Sequence, residues 1–276
     1  MKISKWHGLG NDFILTELSK SSTFDIRGAV ERLCDRHFGV GADGVVTIRH
    51  LSGNAFEMRI YNADGTEPEM CGNATRCVGL YIKRRMLARG DEFELRTKGG
   101  IVRPKVLENG TVRVDMGEPR LLRGEIPVAG NPAEQAREVK LRADGRDFTA
   151  FCVSMGNPHA VIFVPDIEAV ELEKWGPVLE CDPQFPKKIN VEFVEVRSPG
   201  MVRMRVWERG CGLTMACGTG SCATAVAGHL SGRTGSCVTV LLDGGELLVE
   251  HSAADNHVYM TGPAVEVFRG ELVEKI

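Results

Sequence analysis

The strongest constraint on the fold is an internal repeat. Displacing the chain against itself by 146 positions lays Met58, Arg59, Ile60 and Tyr61 on Met204, Arg205, Val206 and Trp207. The same shift lays Cys71-Gly72 on Cys217-Gly218, Ala74-Thr75 on Gly220-Ser221, and Gly10-Asn11 on Gly156-Asn157. Four separated matches at one offset, without a gap, describe two copies of one structural plan within 276 residues. Like halves usually pack about a pseudo-two-fold axis, so equivalent loops are expected to face each other across a cleft. The expected division is an N-terminal domain over 1–117, completed by 263–276, and a C-terminal domain over 118–262.

Hydrophobic periodicity fills each half with short strands, at 13–18, 45–48, 56–61, 93–97 and 112–116, then at 148–154, 160–164, 191–196, 202–208 and 238–242. Helices are fewer: 26–36 behind Asp25 as N-cap, 73–87, 167–179 and 219–230. The fold class is therefore α/β. The softest stretch is 120–137, which carries two prolines and two glycines.

A formal charge of −3, from 34 basic and 37 acidic residues, gives no summed field that would recruit nucleic acid or an anionic membrane. A small-molecule partner fits better. The N-terminal MKISKWHGLGNDFIL has no continuous apolar run of the signal-peptide kind, and no stretch reaches the roughly 18 apolar residues of a membrane span. Nine cysteines, an odd number in a long chain, do not read as a secreted disulfide framework. A cytoplasmic protein is expected.

Each half carries a strand, a glycine-rich or polar turn, a cysteine, a glycine and then an apolar-periodic helix: MRIYNADGTEPEMCGNATRCVGLYI and MRVWERGCGLTMACGTGSCATAVAG. Cys71 and Cys217 thus sit at predicted helix N-termini. Unpaired N–H groups and the positive end of the helix dipole favour an anion there, so a thiol of reference pKa about 8.5 is drawn toward thiolate. The N–H donors of Gly72, Asn73, Gly218 and Thr219 could grip a carboxylate. Together these groups offer an acid and a base for opposite faces of one carbon, which is what inverting a stereocentre demands.

The developing carbanion would need electrostatic stabilisation from the two helix ends, because no cofactor motif is present. GVGADG over 39–44 lacks G-x-G-x-x-G spacing, and no lysine stands out for a Schiff base. Zinc would want C-x-x-C pairs, and the gaps from Cys71 to Cys77 and from Cys217 to Cys222 are wrong, so neither metal nor cofactor is expected. Glu208 and Arg209 end the repeated strand at the mouth of the second cysteine loop, and His159 follows a proline turn at the start of a strand, where it reads either as a satisfied histidine or as a site residue. Asn11 and Asn157 are equivalent under the repeat, as are Asn62 and Glu208; with Asn190 they read as cleft-lining residues as well as turn formers.

HGLGNDF, NADGTEPEMCGN, MGNPHAV, WERG and ACGTGSCA together resemble diaminopimelate epimerase over nearly the whole chain. The resemblance implies two pseudo-symmetric domains, each a β-barrel-like mixed sheet wrapped around a central helix, assembled as a homodimer. It implies interconversion of LL- and meso-diaminopimelate without pyridoxal phosphate, supplying lysine and the cell wall. It assigns Cys71 and Cys217 as the two bases, with His159 and Glu208 assisting at the reacting centre. Asn11, Asn62, Asn157, Asn190, Glu208 and Arg209 would hold the substrate, with Gly72, Asn73, Gly218 and Thr219 on the reacting carboxylate. The chain departs from that pattern at Gly44, where glutamine is common, and at Ala74, Cys211 and Leu213. A proline-racemase-like epimerase and a non-catalytic amino-acid-binding protein or thiol sensor are the other readings.

Overall fold

The computed structural model describes residues 1–19 and 26–273. The chain divides into two compact units, Met1–Asp115 with Thr261–Ile276, and Met116–Met260. In the first unit run β1 (Lys2–Gly8), β2 (Asn11–Leu18), α1 (Arg27–Cys34), β3 (Gly44–Ser52), β4 (Ala55–Asn62), α2 (Gly72–Arg84), β5 (Glu94–Thr97), β6 (Gly100–Val102), β7 (Lys105–Val106) and β8 (Val112–Asp115). A seven-stranded sheet orders the C-terminal strand Val265–Glu271, then β1 to β6 in sequence. Within it β2–β3 and β4–β5 are parallel and the other neighbours antiparallel.

The residues account for the elements. In β4 the alternation of AFEMRIYN buries Phe56, Met58 and Ile60 and turns Glu57 and Arg59 outward, the period of a half-buried strand. The apolar run at the start of β3 is buried throughout, as a central strand covered on both faces should be. Helix α2 is buried from Gly72 to Ile82 and packs on β1, β2, β7 and β8.

In the second unit run β9 (Val139–Ala143), β10 (Arg146–Ser154), β11 (Pro158–Phe163), α3 (Leu172–Glu180), β12 (Asn190–Ser198), β13 (Met201–Glu208), β14 (Gly212–Leu213), α4 (Gly218–Leu230), β15 (Cys237–Leu242), β16 (Gly245–His251) and β17 (Val258–Gly262). The strand order is β9, β10, β11, β12, β13, β15, β16, β17, with β14 beside β13. Parallel pairs again fall at the matching places, β11–β12 and β13–β15. Helix α4 is mostly Gly, Ala, Ser and Thr, is buried from Gly220 to Gly228, and touches β10, β11, β12, β15 and β16. Small side chains let the strands close in around it.

The repeat is exact in three elements: β12 begins and ends 146 residues after β3, β13 after β4, and α4 after α2. The outermost strand differs in origin. The first unit takes it from the C-terminus, the second from β9, directly before β10.

Two helix expectations need correction. The helix expected from 167 begins at Leu172, because Asp166 Oδ1 accepts the Glu168 N–H at 2.9 Å and Glu195 Oε2 the Ile167 N–H at 3.1 Å, both diverting the backbone into a turn. Asp25, expected as a cap, lies outside the described residues; α1 starts at Arg27 behind Ile26. The soft stretch 120–137 has no helix or strand, yet bridges from Arg120 to Ser154 and Leu122 to Gln135 pin it, and Ile126, Val128 and Ala136 join the core of the second unit. No helix among the described residues is long and apolar enough to cross a membrane.

Two glycines separate packing from backbone effects. A Cβ on Gly176 of α3 would lie 2.6 Å from Trp207 Cγ, whereas one on Gly28 of α1 meets nothing among the described residues within 4 Å. Gly176→Ala is expected to destabilise by about 1–3 kcal/mol and Gly28→Ala to stabilise by about 0.5–1 kcal/mol. Urea unfolding of the two variants checks both signs.

Candidate active site

In the first unit, β4 runs out into the loop that leads to Cys71, the extended N-cap of α2 at φ −142° and ψ 116°. Its carbonyl accepts the Thr75 N–H at 2.9 Å, which starts the helix and leaves the Gly72 and Asn73 N–H groups among the unpaired donors of the first turn. Cys71 Sγ lies 3.9 Å from Asn11 Oδ1, which also accepts from Asn73 Nδ2 at 3.1 Å. Asn11 in turn donates to Asp43 Oδ2 at 2.8 Å, and Asn73 Oδ1 accepts from the buried Arg76 at 2.8 Å. Asn62 is exposed, paired with Gly44 across β3 and β4, and donates to Thr66 Oγ1 at 3.0 Å.

Asp43 and Arg76 were not singled out in the sequence. Each lies within a motif, but only tertiary contact reveals that they brace Asn11 and Asn73. Asp12 anchors the same corner, between Lys5 at 2.7 Å and Arg36 at 2.8 Å. Burial would raise its pKa, but these two cations outweigh burial and hold it at about 2.

In the second unit Cys217 caps α4 at φ −121° and ψ 110°, and its Sγ accepts the Gly220 N–H at 3.4 Å. Cys217 is 5% exposed. Burial lifts its thiol well above the ordinary value, and the carboxylates of Glu208 and Glu192 lift it further, against the opposing bonds from Thr219 and Gly220. Against the expectation that a helix N-terminus draws Cys217 toward thiolate, desolvation and two like charges push the thiol the other way. Glu208, itself raised by burial, accepts from Thr214 Oγ1 at 2.5 Å.

His159 is fully buried, with Nδ1 2.7 Å from Glu192 Oε1 and Nε2 3.0 Å from Asn157 Oδ1. Ligand atoms of His159, Glu192 and Cys217 lie within 4.8 Å of one another, a set that could also hold a metal ion and that cysteine spacing does not reveal. Asn190 is committed to the scaffold. Its Nδ2 donates to Pro158 O at 2.7 Å and its Oδ1 accepts the Arg209 N–H at 2.9 Å. Arg209 is exposed, with Nη1 donating to Lys187 O at 3.2 Å. Glu192 was missed in the sequence, where it stands as one acid in an alternating strand. A cavity of about 720 Å³ lined by Arg137, Phe148, Phe163, Trp175 and Arg233 contains none of these groups.

The model of the diaminopimelate epimerase family matches residues 3–122 and 151–267. The chain belongs to the diaminopimelate epimerase family. It is 52% identical over 277 residues to the protein of that name from Desulforudis audaxviator, covering 99% of each chain, and 49% identical to that from Moorella thermoacetica, covering 98% of this chain and 99% of the relative. Solved structures share the fold. A PhzF-family phenazine biosynthesis protein from Bacillus anthracis superposes with a TM-score of 0.68 at 14% identity, over 99% of both chains. A hydroxyproline epimerase from Agrobacterium vitis does so at 0.66 and 15%, over 99% of this chain and 90% of the other.

Two departures from the diaminopimelate epimerase pattern gain a setting. A Cβ on Gly44 would lie 2.6 Å from the Tyr61 carbonyl oxygen, so the tight β3–β4 approach here excludes a side chain without a backbone shift. Leu213 projects from β14 with 44% of its surface exposed.

Two outcomes are expected. Iodoacetamide at neutral pH should label the exposed Cys181, Cys211 and Cys237 well before Cys217, as peptide mass spectrometry would record. Asp12, with its folded pKa depressed to about 2, stabilises the fold above its unfolded value near 3.9 and loses that contribution as pH falls toward 2. Asp12→Asn should therefore cost about 1–2 kcal/mol at pH 7, with the gap from wild type closing between pH 4 and 2 in denaturant titrations.

Proposed function

We propose that this chain interconverts LL- and meso-diaminopimelate in lysine and cell-wall precursor synthesis, with Cys71 and Cys217 exchanging protons at opposite faces of the α-carbon. The observation that carries the reading is the pair of cysteines, each an extended N-cap of a buried helix, at equivalent points of two like units. The family match supports the substrate.

In this reading one sulfur removes the α-proton as thiolate while the other delivers a proton as thiol. A thiol pushed up by burial beside Glu208 and Glu192 suits Cys217 to the donor role in the resting protein. Transfer leaves a thiolate beside two carboxylates, which favours its reprotonation when the reaction runs in reverse. The N–H groups of Gly72, Asn73, Gly218 and Thr219 would hold the reacting carboxylate and lower the cost of enolate-like charge, a task for preorganised dipoles in a water-poor site. His159 and Glu208 would assist beside the sulfurs, and Asn11, Asn62, Asn157, Asn190 and Arg209 would position the substrate, with Arg209 on the distal carboxylate.

We take the enzyme to be cytoplasmic. We take the assembly to be a homodimer, and the chemistry to run without metal or pyridoxal phosphate.

Incubation of LL-diaminopimelate with the protein in deuterated water should give the meso isomer carrying α-deuterium. Cys71→Ala and Cys217→Ala should each lower kcat by about 10³-fold or more. Wild-type turnover in either variant would refute the two-base assignment.

A further inference from the structure

The repeat changes character at a buried pair of positions in the second unit. By the offset that aligns β3 with β12, Glu192 answers to Val46 and His159 to Phe13. Val46 is fully buried and Phe13 nearly so, both apolar. In the second unit the same two positions hold a carboxylate and an imidazole, both wholly excluded from solvent and 2.7 Å apart. A buried charged pair is generally no more stabilising than the apolar pair it replaces, and its desolvation is costly. Stability therefore does not explain it.

Two further observations point at the sulfur. Glu192 Oε2 is buried and, among the described residues, has no hydrogen-bond partner, the costly state of a polar atom. At Gly220, a Cβ would fall 2.7 Å from Glu192 Oε1 and 3.3 Å from Cys217 Sγ, so the absence of a side chain there is what lets carboxylate and thiol share one corner.

We propose that Glu192 is a positioning residue: its carboxylate fixes the ring of His159 and places a second negative charge, besides Glu208, next to Cys217 Sγ. This rests on the epimerase reading above. A carboxylate only accepts, so Nδ1 donates to Glu192, and Nε2 faces the Asn157 amide oxygen, likewise an acceptor, so the ring is held from both sides. The groups that face Cys217 are Glu208 from β13, Glu192 from β12, His159 from β11, and Thr219 and Gly220 from its own helix. In the first unit, by contrast, the amides of Asn11 and Asn73 stand by Cys71. Glu192 thus biases the two equivalent sulfurs toward unequal proton occupancy.

The test uses Glu192→Gln and Glu192→Asp. The rate of iodoacetamide alkylation at Cys217 is followed against pH by peptide mass spectrometry, alongside deuterium incorporation and thermal unfolding. Glu192→Gln keeps shape but removes charge, and should move the alkylation midpoint of Cys217 down by about one pH unit. It should also lower kcat by about tenfold or more with little change in KM. Glu192→Asp restores the charge on a shorter stem, so its midpoint should return toward wild type while kcat stays low. A Glu192→Gln profile superimposed on wild type, or an unchanged kcat, overturns the proposal. The alkylation profile reads Cys217 directly: if wild type itself incorporates no deuterium, the epimerase reading fails while the profile still decides the role of Glu192.

Discussion

Everything chemical in this chain depends on how a buried helix begins. A helix start leaves N–H groups without partners, and burying it removes the water that would satisfy them. Here both buried helices, α2 and α4, begin with a cysteine in extended backbone conformation followed by a glycine. Each cysteine carbonyl accepts the fourth N–H onward, from Thr75 and Ser221, both at 2.9 Å. The donors before it are left for an anion, and the sulfur is fixed beside them. The small residues of α4 and the strands packed on it make this possible, since a bulkier helix would hold the sheet away.

One scaffold nevertheless gives its two cysteines different neighbours. Cys71 stands in a chain of side-chain amides running from Asp43 through Asn11 and Asn73 to Arg76. Cys217 stands beside two carboxylates and a histidine, in a site dry enough that burial dominates its titration. A symmetric reaction, in which either face gives or takes a proton, still needs an unequal starting state: one sulfur must hold a proton and the other must not. In the proposed reaction duplication would supply the geometry, and the change at 159 and 192 the inequality.

Much of this was legible in the sequence because the repeat and the period of the strands are written in apolar residues. The strands β3, β4, β10, β11, β12, β13 and β15 lie where alternation put them, and α2 and α4 begin within a residue of expectation. Others escaped notice: β9, β16 and β17 although their burial alternates, β1, KISKWHG, because it mixes charge with apolar residues, and Val265–Glu271 because it is largely exposed, leaving its hydrogen bonds rather than its side chains to define it. At the site, the cysteines announce themselves by position before glycine. Glu192, Asp43 and Arg76 do not, because a charge in a strand or loop reads as solvated until tertiary packing buries or pairs it. For the same reason the dipole argument misjudged Cys217, since it omits charges that arrive from distant strands.

The central claim is the proposal that the two capping sulfurs serve one carbon. Mild oxidation with diamide, followed by non-reducing peptide mapping, tests this most directly. The account predicts a linked Cys71–Cys217 peptide that forms in step with loss of epimerisation and disappears, with activity restored, on reduction. A fully active protein after oxidation, or linkage of either cysteine to a different partner in step with inactivation, would contradict it.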